Sequence, residues 1–185
     1  MIYPIIAYGD PVLKKRAATI SKDYPKLNEV IANMYETMNS AKGVGLAAPQ
    51  VGLSIRLFVI DASPFDDEEV KDFKEVFINA FIKEEDGDLW KFNEGCLSIP
   101  NVREDIQRKK ELYIEYYDQD WNLKKKTYKG LAARIIQHEY DHIEGVLFVD
   151  RISPLRRRLI KNKLIDISKG DVDVDYKMKF PVKGK

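Results

Sequence analysis

The sequence predicts an α+β fold, a single domain of short antiparallel β-strands around a central helix, with an N-terminal helix before it and a C-terminal helix after it. Three observations carry this expectation. Leu27, Val30, Ile31, Met34, Tyr35 and Met38 recur at the spacing of one helix face. Residues 76–92, 111–117 and 123–128 read as strand runs beside turn-forming polar clusters. Residues 131–144 return to helical periodicity and stop at Gly145.

A chain of 185 residues buries a core without disulfide or metal staples and suits one domain over residues 1–185. Hydrophobic residues at 44% and charged residues at 33% are ordinary for a soluble globular protein. A net charge of +1 exerts no global pull on nucleic acid or membrane, so any such contact has to come from a local patch. Neither DNA nor a membrane is an expected partner. No apolar run approaches the roughly 18 residues of a membrane span, and Met1 to Asp10 lacks the basic leader of a signal peptide. One cysteine allows no internal disulfide, so the expected location is cytoplasmic.

Residues 1–24 hold short apolar pieces broken by prolines and glycine, and read as an irregular arm. The helix after Pro25 runs about four turns and stops near Gly43, with Met34 and Met38 as core packing. Next comes Gly43-Val44-Gly45-Leu46-Ala47-Ala48-Pro49-Gln50-Val51-Gly52, small and apolar, with Gln50 its one polar side chain. It reads equally as a tight connection or as a loop whose backbone approaches a ligand. A strand is expected over Ile55 to Asp61, then an acidic surface loop over Asp66 to Asp72. Glu85-Asp86-Gly87-Asp88 and Asp118-Gln119-Asp120 each read as a hairpin turn. Between them lies Glu94-Gly95-Cys96-Leu97-Ser98-Ile99-Pro100, read as a loop leading into a strand-like piece. The C-terminal helix starts after Ser153-Pro154 and covers about 154–169, and the extended tail 170–185 carries no functional motif.

Both histidines stand in Gln137-His138-Glu139-Tyr140-Asp141-His142, four residues apart. At about 3.6 residues per turn they share one helix face. Two imidazoles so placed bind one metal ion, and a glutamate after the first is rotated about 100° toward a water on that metal. This H-E-x-x-H pattern marks metallohydrolases and makes the central helix the metal-binding one. A catalytic site normally has three protein ligands and one open position. With no third histidine, the third ligand is a carboxylate or Cys96, and a thiolate beside two imidazoles suits a divalent first-row metal.

Glu139 is then the base. The metal lowers the pKa of its water from about 16 toward about 7, and the carboxylate takes the proton. Charge developing on a carbonyl oxygen needs donors, which the Gln50 amide and the Leu97 backbone N–H offer. Leu131 and Ile135 share the histidine face and, with Val44 and Phe92, are candidates for an apolar pocket, though each reads as well as core. Glu94 is a candidate acceptor for a ligand imidazole. Asp141 points away from His142 and, if buried, needs a cationic partner. Arg151, Arg156, Arg157, Arg158, Lys161 and Lys163 charge the last helix, by default a solvated face.

The motifs Gly43 to Gln50, Glu94 to Ser98 and Gln137 to His142 occur in the order and at the spacing of the peptide deformylase family, and the chain resembles that family to about residue 168. The resemblance implies removal of the N-terminal formyl group from formyl-methionyl nascent peptides, with release of formate. It implies Cys96, His138 and His142 as metal ligands and Glu139 as general acid/base. Gln50 and the Leu97 amide match its oxyanion donors, and Gly45 its contact with the peptide backbone. Ferrous iron (Fe2+) is the metal implied, with zinc, nickel or cobalt able to substitute, a choice that spacing does not make. The resemblance also pairs Asp141 with Arg108 and supports contact of Arg156, Arg157 and Arg158 with ribosomal RNA. A zincin-type metallopeptidase shares only His138, Glu139 and His142. An RNA-binding module with a structural metal needs a fourth protein ligand.

Overall fold

A computed structural model describes residues 1–65 and 67–181. In chain order the elements are β1 (Ile5–Ile6), α1 (Leu27–Ser40), β2 (Gly45–Ala47), β3 (Leu57–Asp61), β4 (Lys74–Cys96), β5 (Ile99–Tyr117), β6 (Leu123–Lys129), α2 (Gly130–Ile143), α3 (Pro154–Lys169) and β7 (Met178–Lys179). Strands β2 to β6 form one antiparallel sheet in sequence order, while β1 pairs in parallel with β7. The class is α+β, as expected.

Burial on both faces explains the unbroken apolar run Leu57-Phe58-Val59-Ile60 in β3. Leu57 and Val59 join Ile31, Met34 and Met38 of α1 in one core cluster. Phe58 and Ile60 join Ile135 and Ile136 of α2 in another. The sheet is thus clamped between two helices at this end. Phe58 stacks on Phe77 with centroids 4.6 Å apart, and Tyr116 meets Phe77 at 4.2 Å. Each large apolar side chain so buried contributes roughly 1.5–3 kcal/mol. Ten of the 14 residues of α2 are buried, so this helix runs through the middle of the molecule. It ends where expected. Gly145 takes φ +75°, and the Val146 N–H donates to the Asp141 carbonyl at 2.9 Å.

The Asp118-Gln119-Asp120 turn joins β5 to β6 as expected, but three readings change. Glu85-Asp86-Gly87-Asp88 is not a hairpin turn, because β4 runs straight through it. Between the pairs Asp86↔Glu111 and Leu89↔Lys109, two residues of β4 face one of β5. The result is a β-bulge with Gly87 at φ +79°, since β5 continues alongside and captures the backbone. A second irregularity holds Asn79 at φ +51°, and such bulges bend the long β4–β5 ribbon. The strand expected from Ile55 starts at Leu57. Ile55 bridges to Ala18, and Arg56 turns inward to donate to the Ala80 carbonyl at 2.6 Å, 4.2 Å above the Phe81 ring. Cys96 is no loop residue. It is the last residue of β4, paired with Ile99 across the turn Leu97-Ser98. The acidic loop and the tail reach beyond the described residues at Asp66 and at 182–185.

Candidate metal centre

Helical periodicity puts His138 and His142 on one face of α2, and the β4–β5 turn lays Cys96 over that face. Cys96 Sγ and His142 Nε2 are 3.3 Å apart, and one ligand atom from each of Cys96, His138 and His142 falls within 4.8 Å of the others. His138 turns Nδ1 to Glu94 Oε2 at 3.0 Å, which leaves its Nε2 for a metal. Arg108 grips both oxygens of Glu94 at 2.7 and 2.9 Å, and Arg134 donates to Oε1 at 2.9 Å. Arg108 also donates to Asp141 Oδ2 at 2.8 Å, where Arg151 joins at 2.6 Å. The cation that Asp141 requires is present twice. A thiol and two imidazoles, one braced from behind by a carboxylate, fit a divalent metal that keeps a position open.

Burial dominates the electrostatics. It pushes His142 well below its ordinary range, helped by the charges of His138 and Arg108, and so keeps the imidazole in the neutral form a ligand needs. Burial also opposes charge on His138, but the contacts with Cys96 and Glu94 outweigh it and raise that group. For Glu94, burial is outweighed by Arg108 and His138, which hold the carboxyl well below the usual carboxylate range. Glu139 has no such grip. Burial raises it to about 7, with Glu94 and Asp141 adding to the shift and His138 and Arg108 opposing it. Its Oε2 is buried without a hydrogen-bond partner among the described residues. A carboxyl poised near neutrality is suited to take a proton and hand it on.

The centre opens onto a cleft of about 800 Å³. Val44, Gly45, Phe92, Leu131 and Ile135, the expected pocket residues, all line it. So do Gln50, Cys96, Leu97, His138 and Glu139, while His142 lies behind them. Gly45 closes directly on Glu139: a Cβ there would stand 2.4 Å from Oε1 and 2.8 Å from Cγ. Only glycine permits that approach. Gln50 Oε1 accepts the Ala47 N–H at 2.9 Å, which orients its NH2 toward the site. Nε2 lies 3.4 Å from Cys96 Sγ and 3.3 Å from Ser98 Oγ.

Two features lie outside the sequence-based expectations. Arg134 lines the cleft and braces Glu94. Its place four residues before His138 was the available signal. Asp173 to Tyr176 of the tail also line the cleft, and no local pattern announces this. Of the basic residues on α3, Arg156 grips Glu104 at 3.0 and 2.8 Å, and Arg157 pairs with Asp150 at 2.7 Å.

A Cys/His/His set, a buried glutamate beside it and a partly apolar cleft define a metal-dependent hydrolase. A sequence model of the family described as polypeptide deformylase matches residues 2–158. The chain is 61% identical to a peptide deformylase of Christiangramia forsetii, over 98% of this chain and 97% of that protein. It is 57% identical to one of Cytophaga hutchinsonii, over 99% of this chain and 100% of that protein. Its fold is similar to the crystal structure of a peptide deformylase from Legionella pneumophila, at TM-score 0.81 and 35% identity over 92% of this chain and 98% of that one. The Thermotoga maritima peptide deformylase gives TM-score 0.76 and 42% identity, over 83% of this chain and 99% of that one. The chain belongs to the polypeptide deformylase family.

Proposed function

We propose that this chain removes the formyl group from N-formyl-methionyl peptides at the Cys96, His138 and His142 centre, with Glu139 as general acid and base. The observation that carries the assignment is the buried Glu139 carboxyl at the edge of the ligand set, lining the cleft, with its Oε2 free of hydrogen bonds among the described residues. When bound, the metal supplies Lewis acidity that activates water and polarises the carbonyl. Glu139 accepts the proton released as oxygen adds to the formyl carbon, then delivers it to the departing amine. Formate and a free amino terminus result. The Gln50 NH2 and the Leu97 N–H donate to the carbonyl oxygen as charge builds there. Gly45 meets the peptide backbone, and Val44, Phe92, Leu131 and Ile135 take the methionine side chain.

Ferrous iron is the metal proposed, with zinc, nickel or cobalt as substitutes. The mixed thiolate and imidazole set accepts all four, and the motif resemblance supports iron. A cytoplasmic location is supported by the need to keep Cys96 reduced. Contact with ribosomal RNA is supported by Arg158, Lys161 and Lys163 on α3, beside the already paired Arg156 and Arg157. The test is formate release from a formyl-methionyl tripeptide by anaerobically purified, metal-loaded protein, with elemental analysis of the same sample. Formate and bound iron are expected. Cleavage of an internal peptide bond without formate overturns the assignment, and activity that follows zinc alone overturns the choice of iron.

A further inference from the structure

The match to the family ends at residue 158, yet the chain beyond it returns to the cleft. After α3, residues 171–177 run as a strap toward β7. That strand is tied to β1 by the Ile5 N–H on the Lys177 carbonyl at 2.8 Å and the Ala7 N–H on the Lys179 carbonyl at 2.9 Å. Met178 and Phe180 pack on the cluster that holds Ile6, Leu13 and Phe148. Both ends of the strap are therefore anchored. Along it, Asn101 donates to the Asp173 carbonyl at 3.2 Å, and Lys42 pairs with Asp175 at 2.6 Å. The half-buried Tyr176 donates its hydroxyl to the Leu97 carbonyl at 2.8 Å.

Leu97 and Ser98 form the turn between β4 and β5, directly after Cys96. Cross-strand pairing stops at Cys96 and Ile99, so the turn depends on other groups to hold its orientation. Ser98 is held by Gln50 through its Oγ and by the Tyr8 N–H on its carbonyl at 2.9 Å, whereas the Leu97 carbonyl is held by Tyr176. We infer that Tyr176 is a positioning residue for deformylation: it holds the Cys96-Leu97-Ser98 turn so that the Leu97 N–H stays aimed at the reacting carbonyl oxygen. This rests on the donor role given to Leu97 above. A donor contributes to rate only where its geometry is held at the place charge develops, so a small drift of the turn weakens it. Tyr176 acts through Leu97 and needs no contact with the substrate. The strap thereby becomes part of the active centre.

Tyr176→Phe in the full-length, metal-loaded protein removes one hydroxyl and keeps the ring. With a formyl-methionyl tripeptide, kcat is expected to fall roughly ten-fold while KM changes less than about two-fold. Metal content, and the visible spectrum of the cobalt-substituted protein that reads the Cys96 ligand, are expected to stay as in the unaltered protein. Unchanged kcat overturns the inference. A loss of kcat accompanied by lost metal or a shifted cobalt spectrum also overturns it, because Tyr176 then serves the ligand and not the donor. If the variant does not fold, Lys42→Ala loosens the strap at its exposed ion pair, with kcat expected to fall about two- to three-fold and the spectrum unchanged. Full kcat there overturns the inference as well. Failure of the underlying assignment is distinct, since it appears as no formate from the unaltered protein.

Discussion

Glu139 has its carboxyl pressed against Gly45, and that contact makes both residues sensitive. Gly45→Ala puts a methyl where Glu139 Oε1 stands 2.4 Å away, so the carboxylate must move. We expect kcat/KM to drop by about 100-fold with metal content unchanged, since small displacements of a catalytic group have effects of that size. Glu139→Gln keeps shape and metal but cannot carry the proton, and turnover should fall by roughly 10²–10⁴-fold. Cys96→Ala and His138→Ala should each lose the metal. Elemental analysis beside the formate assay separates the two groups of variants, and metal retained after either ligand change contradicts the ligand set.

Helix α2 depends on how it stops. Gly145 takes φ +75°, and a Cβ there would lie 2.6 Å from the Lys14 carbonyl oxygen. That oxygen is backbone and cannot swing away. Gly145→Ala should cost about 2–3 kcal/mol, read as a thermal midpoint lowered by roughly 4–12 °C. The bulge in β4 behaves differently. At Gly87, φ +79°, the contacts of an added Cβ begin at 3.4 Å, so only the backbone strain is felt. Gly87→Ala should cost about 1 kcal/mol. Equal losses at the two positions, in thermal unfolding of the metal-loaded protein, would show that the Lys14 contact does not matter.

Across the whole molecule, ion pairs join segments that are distant in sequence, and acid undoes them. Asp150 accepts the Leu147 N–H at 2.8 Å, pairs with Arg157 at 2.7 Å and takes Lys14 of the N-terminal arm. Burial penalises its charge, but these partners outweigh that and hold it below the ordinary carboxylate value. Asp61 is lowered in the same sense: burial is overcome by Ser63 and Lys74. A carboxyl with a depressed folded pKa adds stability that is complete above its unfolded value of about 4 and is lost as pH falls through the folded one. The urea midpoint should therefore fall as pH drops below about 4, and a midpoint that rises on acidification contradicts this. Air is the second global stress. If iron fills the site, oxidation of the metal or of its Cys96 ligand should make activity decay in air and persist under anaerobic handling. Full activity after long exposure to air points to zinc or nickel.

The sequence by itself determined what depends on backbone period and local stops. Helical spacing put His138 and His142 on one face with Glu139 beside them, and the ends of α1, α2 and α3 fall within a few residues of the capping signals at Gly43, Gly145 and Pro154. Motif order pointed to Cys96, but only the folded ribbon carries its sulfur to His142, 46 residues away in the chain. Whether Glu85 to Asp88 turns or bulges depends on whether β5 continues beside it, which no local propensity encodes. The inward guanidinium groups of Arg56 and Arg134, and the strap that lays Tyr176 on Leu97 79 residues away, are likewise decided by packing. Local geometry repeats along the chain and can be read from residue order. Contacts across such separations follow from how sheet and helices cover one another, and only the tertiary structure holds that.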